Sequence, residues 1–444
     1  MKGRKQILRS QDGSILLVVL GFLFIAIGLV ITIMSVGSNA RKVSQEQVNM
    51  EQAMFVAEGG LERGARFMES NLSVIVSSST GATNGSGTIN SGTYTYYIAR
   101  SNSALSTYMI VSTGTVNNTV GPGTVSRVCS LLNVYQPTYA EFALWSSNNN
   151  ALTFAQGESF SGHVHAVTEL YFNNAGGGPD FHSAVTSQYG TYSGSISGIE
   201  FDQGLTLNSY QGSMADIDFN SSSSKSLKNE TQSNGGLYLL GNTTITFNGG
   251  TVSISNTKTG WVNHSYTLPS KGIIYVANSG TTSGANAGIV YITGGTVGAP
   301  VTLVSENDMH ISGNITYVHN PLSDPSSTDA LGLISRDSIL VDTTAPNNIQ
   351  IQAAMIAAGT SGDGDPGSFA VVNYNTGSPR GVINLLGGIV QLTRGAVGTI
   401  NGSGTLQTGY NKNYGYDARF LSNPPPFYPT ISNKVTFSQW TEGH

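Results

Sequence analysis

The chain has 444 residues, enough for two or three domains, and only 10% of them are charged, far below an ordinary soluble domain. With 55 glycines and abundant Ser, Thr and Asn, it is neither a helical bundle nor a highly charged disordered protein, and no three-residue glycine period marks collagen. A net charge of −5 leaves no global basic field for nucleic acid, and a lone cysteine, Cys129, allows no intrachain disulfide.

Residues 1–13 form a basic leader carrying Lys2, Arg4, Lys5 and Arg9. Between Asp12 and Arg41 there is no charged side chain. The apolar run from Ser14 to Val36, as an α-helix, spans about 35 Å, enough for a hydrocarbon layer of ~30 Å. Four cations precede it, and Arg41 and Lys42 follow, which favours a cytoplasmic N-terminus and an extracytoplasmic bulk. A cleaved secretory signal ending at Ala40 is the alternative, but the run exceeds the ~7–15 residues of an ordinary signal core. A helical stripe continues through Val43, Met50, Met54, Ala57, Leu61, Ala65, Met68 and Leu72. One helix over 14–72 is therefore expected, apolar all round at first and amphipathic after that. Gly59-Gly60 weakens its interior. Gly21, Gly28 and Ser35 are seven apart and share a face that lets another helix approach, although ordinary glycine usage in a membrane helix accounts for them too.

The stretch Gln11-Asp12-Gly13-Ser14-Ile15-Leu16-Leu17-Val18, with Ala57-Glu58-Gly59-Gly60-Leu61-Glu62 further on, resembles the type IV pilus minor pilins of the PilX-like N-terminal family. The resemblance implies that prepilin peptidase cuts between Gly13 and Ser14. It implies that the apolar helix anchors the subunit in the bacterial inner membrane and packs against other pilin-like subunits. Major pilins carry Glu as the fifth residue after the cut, where this chain has Val18, so a minor, initiating or tip-located component fits better.

Residues 73–92 read as a linker with turn chemistry at Asn84-Gly85. Strand-like runs at 93–98, 108–111 and 125–134 follow, and a long helix followed by a small antiparallel sheet, here 73–138, is the layout of a pilin head. Over 139–420 many short apolar strands alternate with Gly, Asn and Ser, at 272–276, 289–292, 301–304, 309–311, 331–334, 338–341, 349–351 and 382–385 among others. No helical period intervenes. The fold class is α+β, with a mainly-β extracytoplasmic domain that is a β-helix or solenoid, or else a β-sandwich. The region also resembles an uncharacterised family of domains found behind pilin-type anchors, in Phe160-Ser161-Gly162-His163-Val164-His165, Ser305-Glu306-Asn307-Asp308-Met309-His310-Ile311 and Tyr416-Asp417-Ala418-Arg419-Phe420, a resemblance that brings no activity with it. A proline-rich tail, 421–444, closes the domain as an extended surface segment.

Chemistry is sparse. His163 and His165 alternate along one run and, with His182, are the residue types that hold zinc, though a solvated edge is the plainer reading. Asp363 and Asp365 lie in a loop without the distal ligands of a calcium site. No Walker loop, nucleophile elbow or metalloprotease helix is present. Catalytic, cofactor-binding and metal residues are therefore none, and the expected role is a non-enzymatic component of type IV pilus assembly. Two rivals stand beside it: a surface adhesin whose exposed Tyr, Asn and Thr bind glycans, and a polysaccharide-degrading enzyme in which Asp308, Asp337 and Asp342 meet across stacked coils.

Overall fold

The computed structural model describes residues 12–77, 83–100, 107–148, 151–155, 157–173, 178–280, 283–360, 362, 364–402, 404–432 and 434–443, with side chains from Ile15 to Asn71 in the N-terminal helix. The leader's four cations, the linker residues 78–82 and Asp363 lie outside the described residues. The chain divides into two compact units: residues 1–101, 108–134 and 437–444 form one, and 102–107 with 135–436 form the other.

In the first unit a helix, α1 (Asp12–Ser77), leaves helical geometry only at Asn71, whose side-chain amide donates to the Phe67 carbonyl at 2.9 Å. No proline or charge interrupts it from 13 to 40, and every described side chain from Ile15 to Val48 is exposed. Its second half lies on an antiparallel sheet of β1 (Thr83–Ile89), β2 (Gly92–Arg100), β3 (Tyr108–Asn117) and β4 (Thr124–Val134). The buried face runs through Asn49, Ala53, Val56, Ala57, Gly60, Leu61, Gly64 and Met68. Of the expected stripe, Ala57, Leu61 and Met68 are buried, Met54 and Ala65 half-buried, and Val43 and Met50 exposed.

The stripe is displaced because small residues, not large ones, set the helix–sheet distance. A Cβ at Gly114 on β3 would run into the Ala53 carbonyl oxygen and the Ala57 amide nitrogen. One at Gly60 would run into Ser112 Oγ and the Tyr94 ring. The glycine pair that weakens an isolated helix is what lets this one lie close to its sheet. Asn49 then ties the helix to the β3–β4 turn: its amide donates to Asn118 Oδ1 at 3.3 Å and its oxygen accepts from Thr119 at 2.9 Å.

Two expectations for this unit need correction. Asn84-Gly85 is not a turn but lies within β1. The β1–β2 turn falls at Asn90, at φ 52°, and Ser91, while Gly85 and Gly87 leave room for the rings of Tyr96 and Tyr94 across the pair. The proline-rich tail, expected as an extended surface segment that closes the larger domain, ends instead in a strand of this unit. Gln439–Gly443 pairs antiparallel with β4, with Trp440 opposite Leu131, because that edge is otherwise open and Ser130 and Thr441 meet at 2.7 Å.

The second unit is built on parallel ladders. One runs Leu237–Leu240, Ile273–Ala277, Val301–Ser305, Leu331–Ser335, Gln350–Ala357, Pro379–Gln391. It does not end there. Pro379–Gln391 next pairs with β5 (Phe142–Ser146), which pairs with His163–Ala166, then Val185–Ser187, then Leu205–Thr206. The unit's first strands are thus stacked after its last, so the chain must return along the stack between 207 and 236. A second ladder carries Met309–Ile311, Ile339–Val341 and Phe369–Val371.

Strands of the first ladder are buried on both faces, which is why they read as continuous apolar runs. Their inner residues, such as Ile274, Leu303 and Leu333, join the main core. Their outer residues, Tyr275, Val304 and Ile334, are covered by Met214, Phe219 and Leu227 of the returning segment and by Phe420 and Tyr428. The proline run is therefore not a surface closure: Tyr428 is buried and the Pro426 carbonyl accepts from Thr302 Oγ1. Outward amides stack where the ladders face solvent, Asn413 donating to Asn384 Oδ1 at 2.8 Å.

At one end of the stack the hairpins Thr243–Gly249, Thr251–Asn256 and Trp261–Thr267 extend the sheet. Val252 and Ile254 are fully buried, and Trp261 and Tyr266 pack against the same core. At the other end five phenylalanines stack: Phe160 on Phe181 at 5.4 Å, Phe181 on Phe201 at 5.2 Å, and Phe154 on Phe172 at 5.6 Å.

Candidate functional site

The most exposed apolar surface of the described residues is the first half of α1. Leu17, Phe22, Phe24, Ile25 and Met34 are each more than 60% exposed. Water does not tolerate a patch of this size on a solitary domain. The helix is long and apolar enough to cross a membrane, with a mean hydropathy of 3.1 in its most apolar window, and it fits a single-pass anchor. Its hydroxyl at Thr32 donates to the Gly28 carbonyl at 2.8 Å, so that group needs no water.

Gly21, Gly28 and Ser35 lie on this rod, and a side chain added at Gly21 or Gly28 would meet nothing within 4 Å. The face they form is open. Val18 is one more exposed apolar side chain. Gly13 and Ser14 stand in the first turn of α1.

In the second unit the residues singled out for chemistry are separated or neutralised. His163 Nε2 and His165 Nδ1 both lie 2.8 Å from Thr186 Oγ1. One hydroxyl has one proton to give, so at least one ring donates to it. The rings pack at a tilt against aromatic neighbours, His163 at 4.5 Å from Phe142 and His165 at 4.2 Å from Trp145. Burial lowers the His163 pKa to about 4, and burial with the neighbouring His163 lowers that of His165 to about 3. His182 does not join them; its Nδ1 pairs with Asp202 at 3.0 Å. Among the described residues no three His, Cys, Asp or Glu side chains converge as metal ligands.

The three aspartates of the enzymatic alternative do not face one groove. Asp308 Oδ1 accepts from the Ser338 amide at 3.1 Å, beside Asp337, which is buried. Asp342 lies beyond the far end of Ile339–Val341, four residues from Ser338 in register, or about 13 Å at ~3.3 Å per residue. It pairs with His310 Nδ1 at 2.8 Å. Asp365 is held by Ser338 Oγ at 2.5 Å and the Gly367 amide at 2.8 Å.

Sequence reasoning missed a charged cluster that joins distant parts of the stack. Glu158 accepts from Arg394 at 2.7 Å and from Lys412 at 2.9 Å. Burial raises the Glu158 pKa, but the two cations outweigh it and the net shift is downward. Nothing in the local sequence around Glu158 announces partners more than 230 residues away. Cys129 on β4 is fully buried, and burial, with Glu58 and Glu442 nearby, pushes its thiol up to about 12. It is held as an inert thiol at neutral pH.

No family model and no curated protein matches the chain. Among solved structures, the competence-associated pilin ComZ from Thermus thermophilus aligns over 89% of this chain and 97% of its own, at 11% identity and a TM-score of 0.33. A superposition that loose does not establish a shared fold.

Proposed function

We propose that this protein is a non-enzymatic, minor-pilin-like or pseudopilin-like component of a type IV pilus or related assembly. The observation that carries this reading is the continuity of α1: one helix is a charge-free, fully exposed rod at one end and the close-packed spine of a small antiparallel sheet at the other. A rod of this kind is stable in lipid or in a bundle of like rods, and the same helix can pass from one to the other without refolding its head. In this reading prepilin peptidase removes residues 1–13, the N-terminus faces the cytoplasm, and the inner membrane holds the subunit until its helix packs with those of neighbouring subunits. The larger unit is a β-helix in the same reading, supported by its parallel ladders and the amide stack at Asn384 and Asn413. It is displayed outside the inner membrane.

The test is fractionation of cells sheared to release filaments. The reading predicts the protein in the sheared fraction as well as in membranes. Gly21→Leu with Gly28→Leu would fill the open face of the rod. Membrane retention should be unchanged, since both replacements are apolar, while the filament-associated share should fall at least tenfold. Equal filament content in variant and parent would remove the packing role of that face.

A further inference from the structure

The two ends of the parallel stack differ in both covering and charge. At the hairpin end the outermost strand, Trp261–Thr267, pairs among the described residues on one side only, with Thr251–Asn256, and its residues Val262 to Ser265 are exposed. At the opposite end, among the described residues, Leu205–Thr206 pairs only with Val185–Ser187, and Tyr192–Gly194 only with Glu169–Phe172. Ile196, Ile199, Phe201 and Leu205 of that last coil are core residues left half-exposed. Each end therefore presents a row of backbone donors and acceptors with no ladder beyond it, the kind of edge that recruits another strand.

Charge separates the ends. From 163 to 206, the stretch that builds the last coils at the uncovered end, there are four acidic residues, Glu169, Asp180, Glu200 and Asp202, and not one Lys or Arg. Asp180, Glu200 and Asp202 are exposed there, Asp202 paired with His182. From 231 to 305, which supplies the hairpin end, there is no acidic residue, and Lys258 and Lys271 are both exposed. Lys228 of the short helix Leu227–Ser233 stands over Tyr238 of the same end, and the acids nearby are engaged: Glu230 by Asn234, Asp218 by the Ser221 amide, and Glu306 by the Tyr275 hydroxyl and the Asn278 amide. Two copies meeting by their acidic ends would repel, whereas acidic end against hairpin end is complementary.

We propose that a second copy of this chain occupies the uncovered end, the outer edge of Trp261–Thr267 from one molecule adding to Leu205–Thr206 of the next. Such a contact is head to tail, so it does not close on itself and propagates as a row. It uses none of the N-terminal helix and stands or falls independently of the anchoring reading.

The experiment is cross-linking of the full-length chain in detergent with a short bis-maleimide. One preparation carries Thr206→Cys, the other Ser265→Cys, both exposed positions, while native Cys129 is buried and does not compete. The mixture should give a cross-linked dimer that neither preparation gives alone. Raising salt from about 50 to 500 mM should suppress it, as screening of exposed charges requires. Glu200→Lys with Asp202→Lys in the Thr206→Cys copy should lower the yield at least tenfold, and Lys258→Glu in the other copy should restore part of it. Circular dichroism of each variant, matching the parent, establishes that the stack is intact. Cross-linking of Thr206→Cys with itself, a yield indifferent to the charge reversals, or no product from folded protein would each overturn the proposal.

Discussion

Replacing Gly114 by valine is expected to separate α1 from its sheet. The new side chain would begin inside the Ala53 carbonyl and the Ala57 amide, both helix backbone, so no rotamer change can relieve it. Overpacking of this type costs 1–3 kcal/mol where side chains can move, and backbone against backbone places this case at about 3 kcal/mol or more. The readout is already in the protein. Cys129 lies in the same layer, fully buried with its pKa raised to about 12, so iodoacetamide should label the parent only on unfolding. In Gly114→Val labelling should become at least a hundredfold faster, following the lost stability. Gly21→Val, on the open rod, should leave the rate unchanged. Equal protection in Gly114→Val and parent would mean that the close approach is not what holds the helix.

The second large effect is acid sensitivity of the larger unit. His163 and His165 are neutral in the fold at pH 7, with pKa values lowered to about 4 and about 3, whereas in the unfolded chain they titrate near pH 6.5. Below pH 6.5 the unfolded state binds more protons, so stability falls with pH, by about 2.5 kcal/mol per ring between pH 7 and 4.5. Glu141 acts in the opposite direction. Burial raises its pKa to about 7, against the hydrogen bond from the Thr138 amide, so the fold retains a proton there that the unfolded chain releases above pH 4.5. Lowering the pH therefore gains roughly what one histidine loses. Denaturant unfolding followed by tryptophan fluorescence should show a loss of about 5 kcal/mol in Glu141→Gln between pH 7 and 4.5, and about half that in the parent. Adding His165→Gln to Glu141→Gln should halve the loss again. A pH-independent Glu141→Gln would contradict neutral, buried rings.

Much of this architecture was legible because it depends on local composition. A charge-free run from Gly13 to Ala40 can only be a rod in an apolar setting, and the runs at 272–276, 301–304 and 331–334, each short, apolar and bounded by turn residues, fall within one residue of the strands Ile273–Ala277, Val301–Ser305 and Leu331–Ser335. What escaped depends on distant partners. The pairing of Val390 with Trp145, which places the first strands of the larger unit after its last, leaves no mark in either segment. The same holds for Trp440 beside Leu131, and for Glu158 with Arg394 and Lys412. Helix periodicity places Met50 and Val43 on the apolar stripe, yet both are exposed, because apolar size alone does not decide burial here. The sheet instead selects Asn49, Gly60 and Gly64, residues chosen for fit and for hydrogen bonding. Among the candidate histidines and aspartates, no local signal shows that Thr186 joins two of the histidines or that register separates Asp308 from Asp342.

The central claim is that an apolar helix stays attached to the folded units and holds them at a membrane. Intact-mass measurement of the protein extracted from membranes with detergent tests it most directly. The account predicts a mature chain beginning at Ser14, with the rod present and the basic leader gone. A water-soluble polypeptide beginning at Arg41 would contradict it.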